Sequence, residues 1–173
     1  MAALEFTRRY AMAHRLIADP HGKCATPHGH NEFLTVRLAP VRPVRFGGDN
    51  MTTPFQAVKT RWHAWIDGAV DHAFQVNAAD PLIAWFRAHE PQRLARLLVT
   101  PGDPTTEALA ALFWLKLEAF LAADGLPYAV AAVRVEETPT NAVLLDRAVF
   151  DPANCGLPDT GWWRRADMSI NDL

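Results

Sequence analysis

The chain has 173 residues, a length that favours one domain and allows a hydrophobic core without disulfide bonds. Half of the residues are hydrophobic, 21% are charged, and the formal net charge is −2, which does not suggest a nucleic-acid or membrane-surface binder. No apolar run reaches the roughly 18 residues of a spanning helix, and the first residues lack the continuous apolar region of a signal peptide. We therefore expect a cytoplasmic protein whose two cysteines stay reduced.

Two strands are predicted in the first part of the chain. The segment LEFTRRYAMAHRL contains no glycine or proline, and its alternation places Tyr10, Met12 and His14 on one face. A loop follows at 18–27, where two prolines and a glycine occur. The β-branched and aromatic residues of NEFLTVRL then predict a second strand directly after a His-Gly-His motif.

Helices and strands alternate in the rest of the chain. An apolar stripe predicts a helix in TPFQAVKTRWHAWIDGAV, with Asp71 and His72 at or just past its end. A short helix, DPLIAWFRAHEP, and a buried strand, RLLVTP, precede a long helix that Thr105 or Thr106 can cap. The strands YAVAAVRVEET and AVLLDRAVF are predicted to form an antiparallel hairpin. Paired strands separated by helices indicate the α+β class.

The stretch KCATPHGH concentrates groups that bind metals or carry protons. In extended backbone, His28 and His30 share one face, and His14 on the neighbouring strand is the obvious third ligand. Three imidazoles with an open fourth position are typical of a catalytic zinc site. The alternative is that these are loop histidines without a metal, because His-x-His is a common pattern.

Four further residues carry candidate chemistry, each with a simpler alternative. Cys24 lies four residues before His28, where a nearby cation would favour the thiolate of a proton abstractor. It is otherwise a fourth metal ligand or an inert thiol. Asp71 and His72 form an acid–base pair in sequence, or a helix end at which the imidazole favours the dipole. Glu137 can accept two parallel N–H bonds from an amidine-like group, or it is a solvated charge at a strand end.

Five segments in this order, AHRL, KCATPHGHNEFLTV, DHAFQVN, PTTEALA and VRVEETPTNAV, resemble the family of 6-pyruvoyltetrahydropterin and 6-carboxytetrahydropterin synthases. The likeness runs from residue 6 to residue 149. It implies Zn²⁺ as the cofactor, held by His14, His28 and His30. It further implies a role for each of six other residues: Cys24 as catalytic base or proton shuttle, Asp71 and His72 as a relay pair, Glu137 as the carboxylate that binds the amino-pyrimidine edge of a pterin, and Thr105 and Thr106 beside the pterin pocket.

The resemblance also implies the tunnelling fold, an antiparallel sheet with helices packed on one face. One such domain would cover residues 1–173, with the segments 40–50 and 151–173 as additions. The second addition is a tail whose aromatic and basic residues are suited to covering a neighbouring subunit. Members of this family assemble into oligomeric barrels, so we expect a homo-oligomer, a trimer or a hexamer, with active sites between subunits and with no nucleic-acid or membrane partner.

The branch of the family is indicated by the spacing between the cysteine and the His-Gly-His motif. Only Ala25, Thr26 and Pro27 separate Cys24 from His28, a short gap similar to that of the queuosine-pathway branch. This gap favours conversion of 7,8-dihydroneopterin triphosphate to 6-carboxytetrahydropterin, with release of acetaldehyde and triphosphate. The alternatives are 6-pyruvoyltetrahydropterin synthase, which eliminates triphosphate, and a non-catalytic zinc- or pterin-binding protein of the same fold.

Two details stay open at the level of the sequence. Arg8, Arg9 and Lys59 are equivalent candidates for holding the triphosphate. The chain also departs from the family pattern, because Pro54-Phe55 stands where an acidic residue and Phe are usual, and Val76-Asn77 stands where Leu-Asn is usual. These departures leave the proposed metal site and pterin clamp untouched, but they leave the exact side chain of the substrate open.

Overall fold

The computed structural model describes residues 2–48 and 50–173, in which six strands form one sheet. The strands are β1 (Leu4–His14), β2 (His28–Pro40), β3 (Ala73–Asn77), β4 (Leu97–Thr100), β5 (Tyr128–Thr138) and β6 (Asn141–Asp146). The helices are α1 (Phe55–Trp65), α2 (Pro81–His89) and α3 (Thr106–Ala123), with a π-helical turn at Ile66–Val70 and short 3-10 helices at Lys23–Ala25, Pro91–Arg96 and Trp162–Arg164. Along the sheet the order is β4-β3-β1-β2-β5-β6.

The sheet is mixed, which corrects the expected antiparallel arrangement. Strands β1, β2, β5 and β6 are antiparallel neighbours, and the predicted β5–β6 hairpin is confirmed, although β6 ends at Asp146. Strand β3 was not predicted, and it runs parallel to β1 and to β4. Parallel neighbours need a crossover connection, and α2 supplies it between β3 and β4.

Helices α1 and α3 pack on one face of the sheet, as expected. Tyr10 of β1 meets Phe113 of α3 edge to face, with ring centroids 6.1 Å apart. Phe113 in turn contacts Trp62 and Trp65 of α1 with the same geometry. Such aromatic contacts contribute roughly 0.5–1.5 kcal/mol each beyond area burial. The main core of the protein therefore lies between the sheet and these two helices.

The short helix α2 lies on the opposite face, which departs from the expectation that all helices share one side. The side chains of β3 alternate, so Ala73 and Gln75 face the main core while Phe74 and Val76 face α2. A second, smaller apolar cluster results, whose buried members are Val76, Ile83, Leu97 and Val99. Elsewhere this outer face is open, and Phe33 of β2 is 41% exposed on it.

The tail at 151–173 packs against its own chain. Trp162, Trp163 and Ile170 belong to the main core. The indole Nε1 of Trp162 donates to the carbonyl of Val99 at 2.7 Å, and the Val99 N–H donates to the carbonyl of Ile170 at 3.0 Å. The tail therefore covers the edge of β4 that β3 leaves unpaired.

The segment 40–50 has little regular structure. Its described part contains no helix or strand beyond Pro40, and Asp49 lies outside the described residues. Val41 and Phe46 are exposed there. Within 2–48 and 50–173, no helix is long and apolar enough to cross a membrane.

Candidate active site

Three imidazoles meet where β1 ends and β2 begins. His14 and His28 are directly paired across the two antiparallel strands, and His30 is paired with Met12, two residues earlier. Because side chains two apart share a face, all three rings lie on the side of the sheet that carries α3. Their ring centroids are 4.5–5.2 Å apart, and one ligand nitrogen from each ring lies within 4.8 Å of the others. The sequence-predicted triad is therefore assembled within one chain.

The hydrogen bonds of two of these rings show how the triad fits a cation. Nδ1 of His14 lies 3.1 Å from the carbonyl of Pro104, and Nδ1 of His28 lies 2.9 Å from the carbonyl of Thr26. Carbonyl acceptors require an N–H on both Nδ1 atoms, so each neutral ring carries its lone pair on Nε2. The two Nε2 atoms face each other at 3.0 Å, which is repulsive unless a cation lies between them. The residues present therefore fit a divalent metal ion bound by nitrogen.

Burial favours the neutral form of the most enclosed ligand. His14 is 3% exposed, and this burial is the largest cause that lowers its pKa. The nearby imidazoles of His28 and His30 lower the pKa further, whereas the hydrogen bond to Pro104 and the charge of Glu137 act in the opposite direction. Neutral imidazole is the form that binds a metal, so this environment suits a ligand.

Gly29 allows the two strands to approach closely behind the triad. A Cβ atom at this position would lie 2.4 Å from the carbonyl oxygen of Met12, which is a backbone atom that cannot turn away. Any side chain at this position would therefore push β2 away from β1 and separate His28 from His14.

Cys24 lies beside the end of β1. It is the middle residue of a short 3-10 helix, and its carbonyl accepts a hydrogen bond from the N–H of Leu16 at 2.8 Å. Leu16 is two residues beyond His14, so this bond holds the cysteine loop close to the strand that carries the first imidazole. The thiol is free and exposed, which is compatible with a reactive role and excludes the buried inert thiol.

Glu137 and the beginning of α3 form a second part of the site on the same face. The hydroxyl of Thr106 donates to Oε1 of Glu137 at 3.0 Å. Thr105 has a different role, since its side chain accepts from the N–H of Ala108 and caps the helix. The preceding residue, Pro104, provides the carbonyl that orients His14. The start of α3 and the residue before its cap therefore position both a candidate metal ligand and the candidate pterin carboxylate.

Asp71 and His72 touch each other, as an acid–base relay requires. Oδ2 of Asp71 lies 2.8 Å from Nδ1 of His72, and Oδ1 accepts from the N–H of Ala11 at 2.7 Å. Partial burial acts to raise the pKa of Asp71, but these bonds and the charge of Arg96 outweigh it and lower the pKa. An ionised Asp71 fixes the His72 tautomer and leaves Nε2 free to exchange a proton.

One chain does not bring this pair to its own metal triad. His72 lines one cleft together with Arg9 and Asn31, and a second cleft together with Phe74 and Leu97. All of these residues belong to the outer face of the sheet, whereas the three imidazoles lie on the α3 face. The thickness of the sheet therefore separates the two groups.

The three triphosphate candidates differ in where the structure places them. Arg8 pairs with Asp67, and Lys59 lies on α1. Arg9 lies beside His72 in the first of these clefts.

Sequence reasoning missed two buried polar residues next to the site. Glu32 follows His28 and His30 on the same face, bonds to the hydroxyl of Tyr10, and has no partner for Oε1 among the described residues. Burial is the largest cause that raises the pKa of Glu32, to about 7. Gln75 is fully buried beside His14, and both of its amide atoms lack a partner in the described part of the chain. The side-chain alternation of β2, counted from His28, predicts that Glu32 lies on the same face as the histidines. Gln75 lies on β3, the strand that the sequence did not predict.

The fold and the site together define an α+β protein with a three-histidine cluster that can hold a metal ion, beside a carboxylate. The family model described as 6-pyruvoyl tetrahydropterin synthase matches residues 3–148. The chain is 31% identical, over 136 residues, to a probable 6-carboxy-5,6,7,8-tetrahydropterin synthase from Halobacterium salinarum. The matched region covers 78% of this chain and 79% of that relative. The chain belongs to the 6-pyruvoyl tetrahydropterin synthase family, which comprises pterin-processing enzymes. The tail at 151–173 lies beyond the matched residues.

Solved structures support the same fold. An uncharacterized protein from Wolinella succinogenes matches with a TM-score of 0.65 and 19% identity, covering 85% of this chain and 99% of that chain. A 6-pyruvoyl tetrahydropterin synthase from Caenorhabditis elegans matches with a TM-score of 0.55 and 23% identity, covering 84% of this chain and 94% of that chain. The architecture is therefore the tunnelling fold, as the resemblance implied, with β3, β4 and α2 as described above.

Proposed function

We propose that this protein is a zinc-dependent 6-carboxytetrahydropterin synthase. The observation that carries the proposal is the convergence of His14, His28 and His30 next to Glu137, in a chain that resembles a probable enzyme of this activity. The substrates would be 7,8-dihydroneopterin triphosphate and one water molecule, and the products 6-carboxytetrahydropterin, acetaldehyde and triphosphate. A role in the queuosine pathway and a cytoplasmic location follow from this activity as expectations.

Recognition of the pterin is assigned to Glu137. A carboxylate accepts two parallel N–H bonds from an amino-pyrimidine edge, and this bidentate pairing fixes the plane of the ring. Thr106 donates to one carboxylate oxygen and so holds Glu137 in place before substrate binds. With the ring fixed, the side chain of the substrate reaches the metal triad on the same face of the sheet, which is catalysis by positioning.

Proton transfer is assigned to Cys24 and His72. When bound at the triad, Zn²⁺ would act as a Lewis acid toward the side-chain oxygens of the substrate. The Cys24 thiolate would remove a proton from the carbon that these oxygens activate, and His72 would move a second proton through Nε2. Asp71 keeps the imidazole of His72 in the required tautomer through the 2.8 Å contact with Nδ1.

A second subunit is part of the proposal, because the sheet separates the two groups within one chain. We place the Asp71–His72 pair of one subunit at the metal triad of its neighbour in a homo-oligomer, a trimer or hexamer, because His72 is exposed on the outer face of its own chain. Arg9 lines the cleft that His72 opens, and we assign it to the triphosphate for this reason.

Product identification with the zinc-loaded protein tests the proposal. We expect 7,8-dihydroneopterin triphosphate to yield 6-carboxytetrahydropterin and acetaldehyde, both of which chromatography and mass spectrometry resolve. A pyruvoyl product without acetaldehyde would assign the chain to 6-pyruvoyltetrahydropterin synthase instead. Zinc binding without any turnover would identify a non-catalytic member of the family. A fully active protein that contains no metal would overturn the proposal outright.

A further inference from the structure

The turn at His72 has an unusual backbone conformation. His72 has a φ of 62°, in the left-handed region that glycine adopts readily and that other residues avoid. In the described part of the chain, Asn50 is the one other residue besides glycines with a positive φ. A conformation of this kind persists only where surrounding contacts enforce it, and such sites often belong to functional residues.

Two backbone hydrogen bonds hold part of this turn. The Asp71 N–H donates to the carbonyl of Ile66 at 2.7 Å and ends the π-helical turn. The His72 N–H donates to the carbonyl of Ala11 at 2.8 Å and begins the contact between β3 and β1. These bonds do not involve the carbonyls of Gly68 and Asp71, so another donor has to satisfy them.

Arg96 is that donor. It is the last residue of the 3-10 helix Pro91–Arg96, and the parallel pairing of β4 with β3 brings it next to the turn. Its Nη1 donates to the carbonyl of Gly68 at 2.8 Å, and its Nη2 donates to the carbonyl of Asp71. The planar guanidinium bridges two acceptors with fixed geometry, which an ammonium group on a flexible chain does not. Its positive charge also lies close enough to Asp71 to favour the carboxylate.

We propose that Arg96 is a positioning residue for the Asp71–His72 pair, which it holds by bridging the carbonyls of Gly68 and Asp71 and so fixing the direction of the His72 imidazole. The proposal deepens the proposed function, since it rests on a role for His72 in proton transfer. Arg96 touches neither the metal triad nor Glu137. It acts on the reaction through the Asp71–His72 pair.

Arg93 offers a matched control. It lies three residues earlier in the same 3-10 helix, lines the same cleft as His72 and Arg96, and carries the same charge. Its guanidinium pairs with Glu90 at 3.5 Å and is 64% exposed. Arg93→Gln therefore removes a nearby positive charge without removing a contact to the turn, whereas Arg96→Gln removes both. Arg96→Lys keeps the charge but loses the planar bridge.

The first measurement is amide hydrogen exchange, which does not depend on activity. In the full-length protein, Arg96→Gln is expected to raise the exchange rate of the His72 N–H by at least about tenfold, because opening of the turn breaks its bond to Ala11. Arg96→Lys is expected to give a smaller increase, and Arg93→Gln none. Amides in the middle of the β1–β2 ladder are expected to exchange at the wild-type rate. An unchanged His72 rate in Arg96→Gln, or an equal rise in the whole sheet, overturns the proposal.

The second measurement is the effect on turnover. We expect Arg96→Gln to lower kcat roughly 10- to 100-fold with little change in KM or zinc content, since only proton transfer is affected. In a His72→Ala background, the same substitution is expected to have no further effect on kcat. An equal loss in both backgrounds would contradict the proposal, because it would mean that Arg96 acts independently of His72. If the wild-type protein turns over no substrate, the proposed function fails, while the exchange experiment still decides the role of Arg96.

Discussion

A single hydrogen atom at Gly29 allows β2 to lie against β1 behind the metal triad. The carbonyl of Met12 occupies the space that a larger side chain would need. Because His14 and His28 are paired directly across this contact, the distance between their Nε2 atoms depends on how closely the strands approach. The spacing of the ligands is therefore set by a residue that binds no metal itself.

Replacement of Gly29 by alanine is expected to damage both stability and metal binding. Forcing a methyl group against a backbone carbonyl costs roughly 1–3 kcal/mol and moves the strands apart. We expect a lower Tm and a lower zinc content per chain, measured by thermal unfolding and by atomic absorption. Gly48→Ala is the control, because nothing lies within 4 Å of a Cβ at that position. Equal zinc content in the two variants would contradict this account.

Glu137→Gln is expected to weaken pterin binding without removing the metal. A hydrogen bond to a charged group contributes about 1.5–3 kcal/mol, so KM is expected to rise roughly 10- to 100-fold. Zinc content is expected to stay at the wild-type level, since Glu137 is not a ligand. The neighbouring Glu136 is a matched control, because it pairs with Arg134 at 2.7 Å and lies on the other side of the strand. A comparable rise in KM for Glu136→Gln would remove the special role of Glu137.

The sequence predicts some residues of the site better than others, for physical reasons. His28 and His30 follow from the period of a strand, and His14 follows because a neighbouring strand must present a third ligand to the same face. The separate roles of Thr105 and Thr106 do not follow from the sequence, because either threonine can cap a helix. Only the structure shows that Thr105 caps α3 and that Thr106 turns toward Glu137.

At the scale of elements, helix α3 joins the active site to the C-terminal tail. Pro104, just before its cap, contacts His14, and its first residue, Thr106, contacts Glu137. Its middle carries Lys116, a fully buried lysine. The Lys116 ammonium donates to the carbonyls of Trp162 and Ser169 and pairs with Asp167. The tail is therefore attached to α3 by hydrogen bonds to a buried charge as well as by its own tryptophans.

The buried position of Lys116 predicts a pH dependence of stability. Burial lowers its pKa from 10.5 to about 8, so the unfolded chain binds more protons than the native protein between these values. Stability is therefore expected to rise as pH increases from 8 toward 10.5, and the contribution is lost as pH falls through 8. Lys116→Met removes this titration. Urea denaturation from pH 7 to 10 measures the difference in unfolding free energy between wild type and variant. A difference that stays constant over this range would refute the idea.

Local signals predict most elements, but two depend on distant residues. Strand β3 is five residues long and includes alanine and glutamine, which have weak strand propensity. It forms because β1 and β4 provide hydrogen bonds on both sides. The packing of the tail is equally hidden, because Trp162 fills space beside Trp65 of α1, nearly a hundred positions earlier. Helix α3, by contrast, has its cap, its apolar residues and its glycine stop within one segment, and its prediction is confirmed.

At the scale of the whole molecule, each chain carries two groups of candidate site residues, the proposed half-sites, on opposite faces of its sheet. The metal triad and Glu137 lie on the α3 face, and the Asp71–His72 pair lies on the outer face with Arg9. A closed ring of subunits can bring the outer face of one chain to the triad of the next, which an isolated chain cannot do. Assembly is therefore expected to be required for activity.

Mixing two inactive variants tests whether the half-sites come from different subunits. Cys24→Ala and His72→Ala are each expected to lower activity strongly as pure oligomers. In randomly mixed oligomers, about a quarter of the sites would combine an intact Cys24 with an intact His72 from the neighbouring chain. We expect turnover to recover to about that fraction after co-refolding or co-expression. A mixture with no more activity than its components would mean that both residues act within one chain, or that one of them is not needed.

Strand β1 is the common reference for both half-sites. The carbonyl of Ala11 receives the His72 N–H on one side, and three residues later His14 enters the triad on the other. A one-residue slip of this strand would turn His14 to the wrong face. It would also move the Ala11 carbonyl to which the His72 N–H is bonded. Mutational tolerance is therefore expected to be lowest in the short run 11–14, lower than in the exposed loop that carries Cys24, even though most residues of that run have no proposed role in the chemistry.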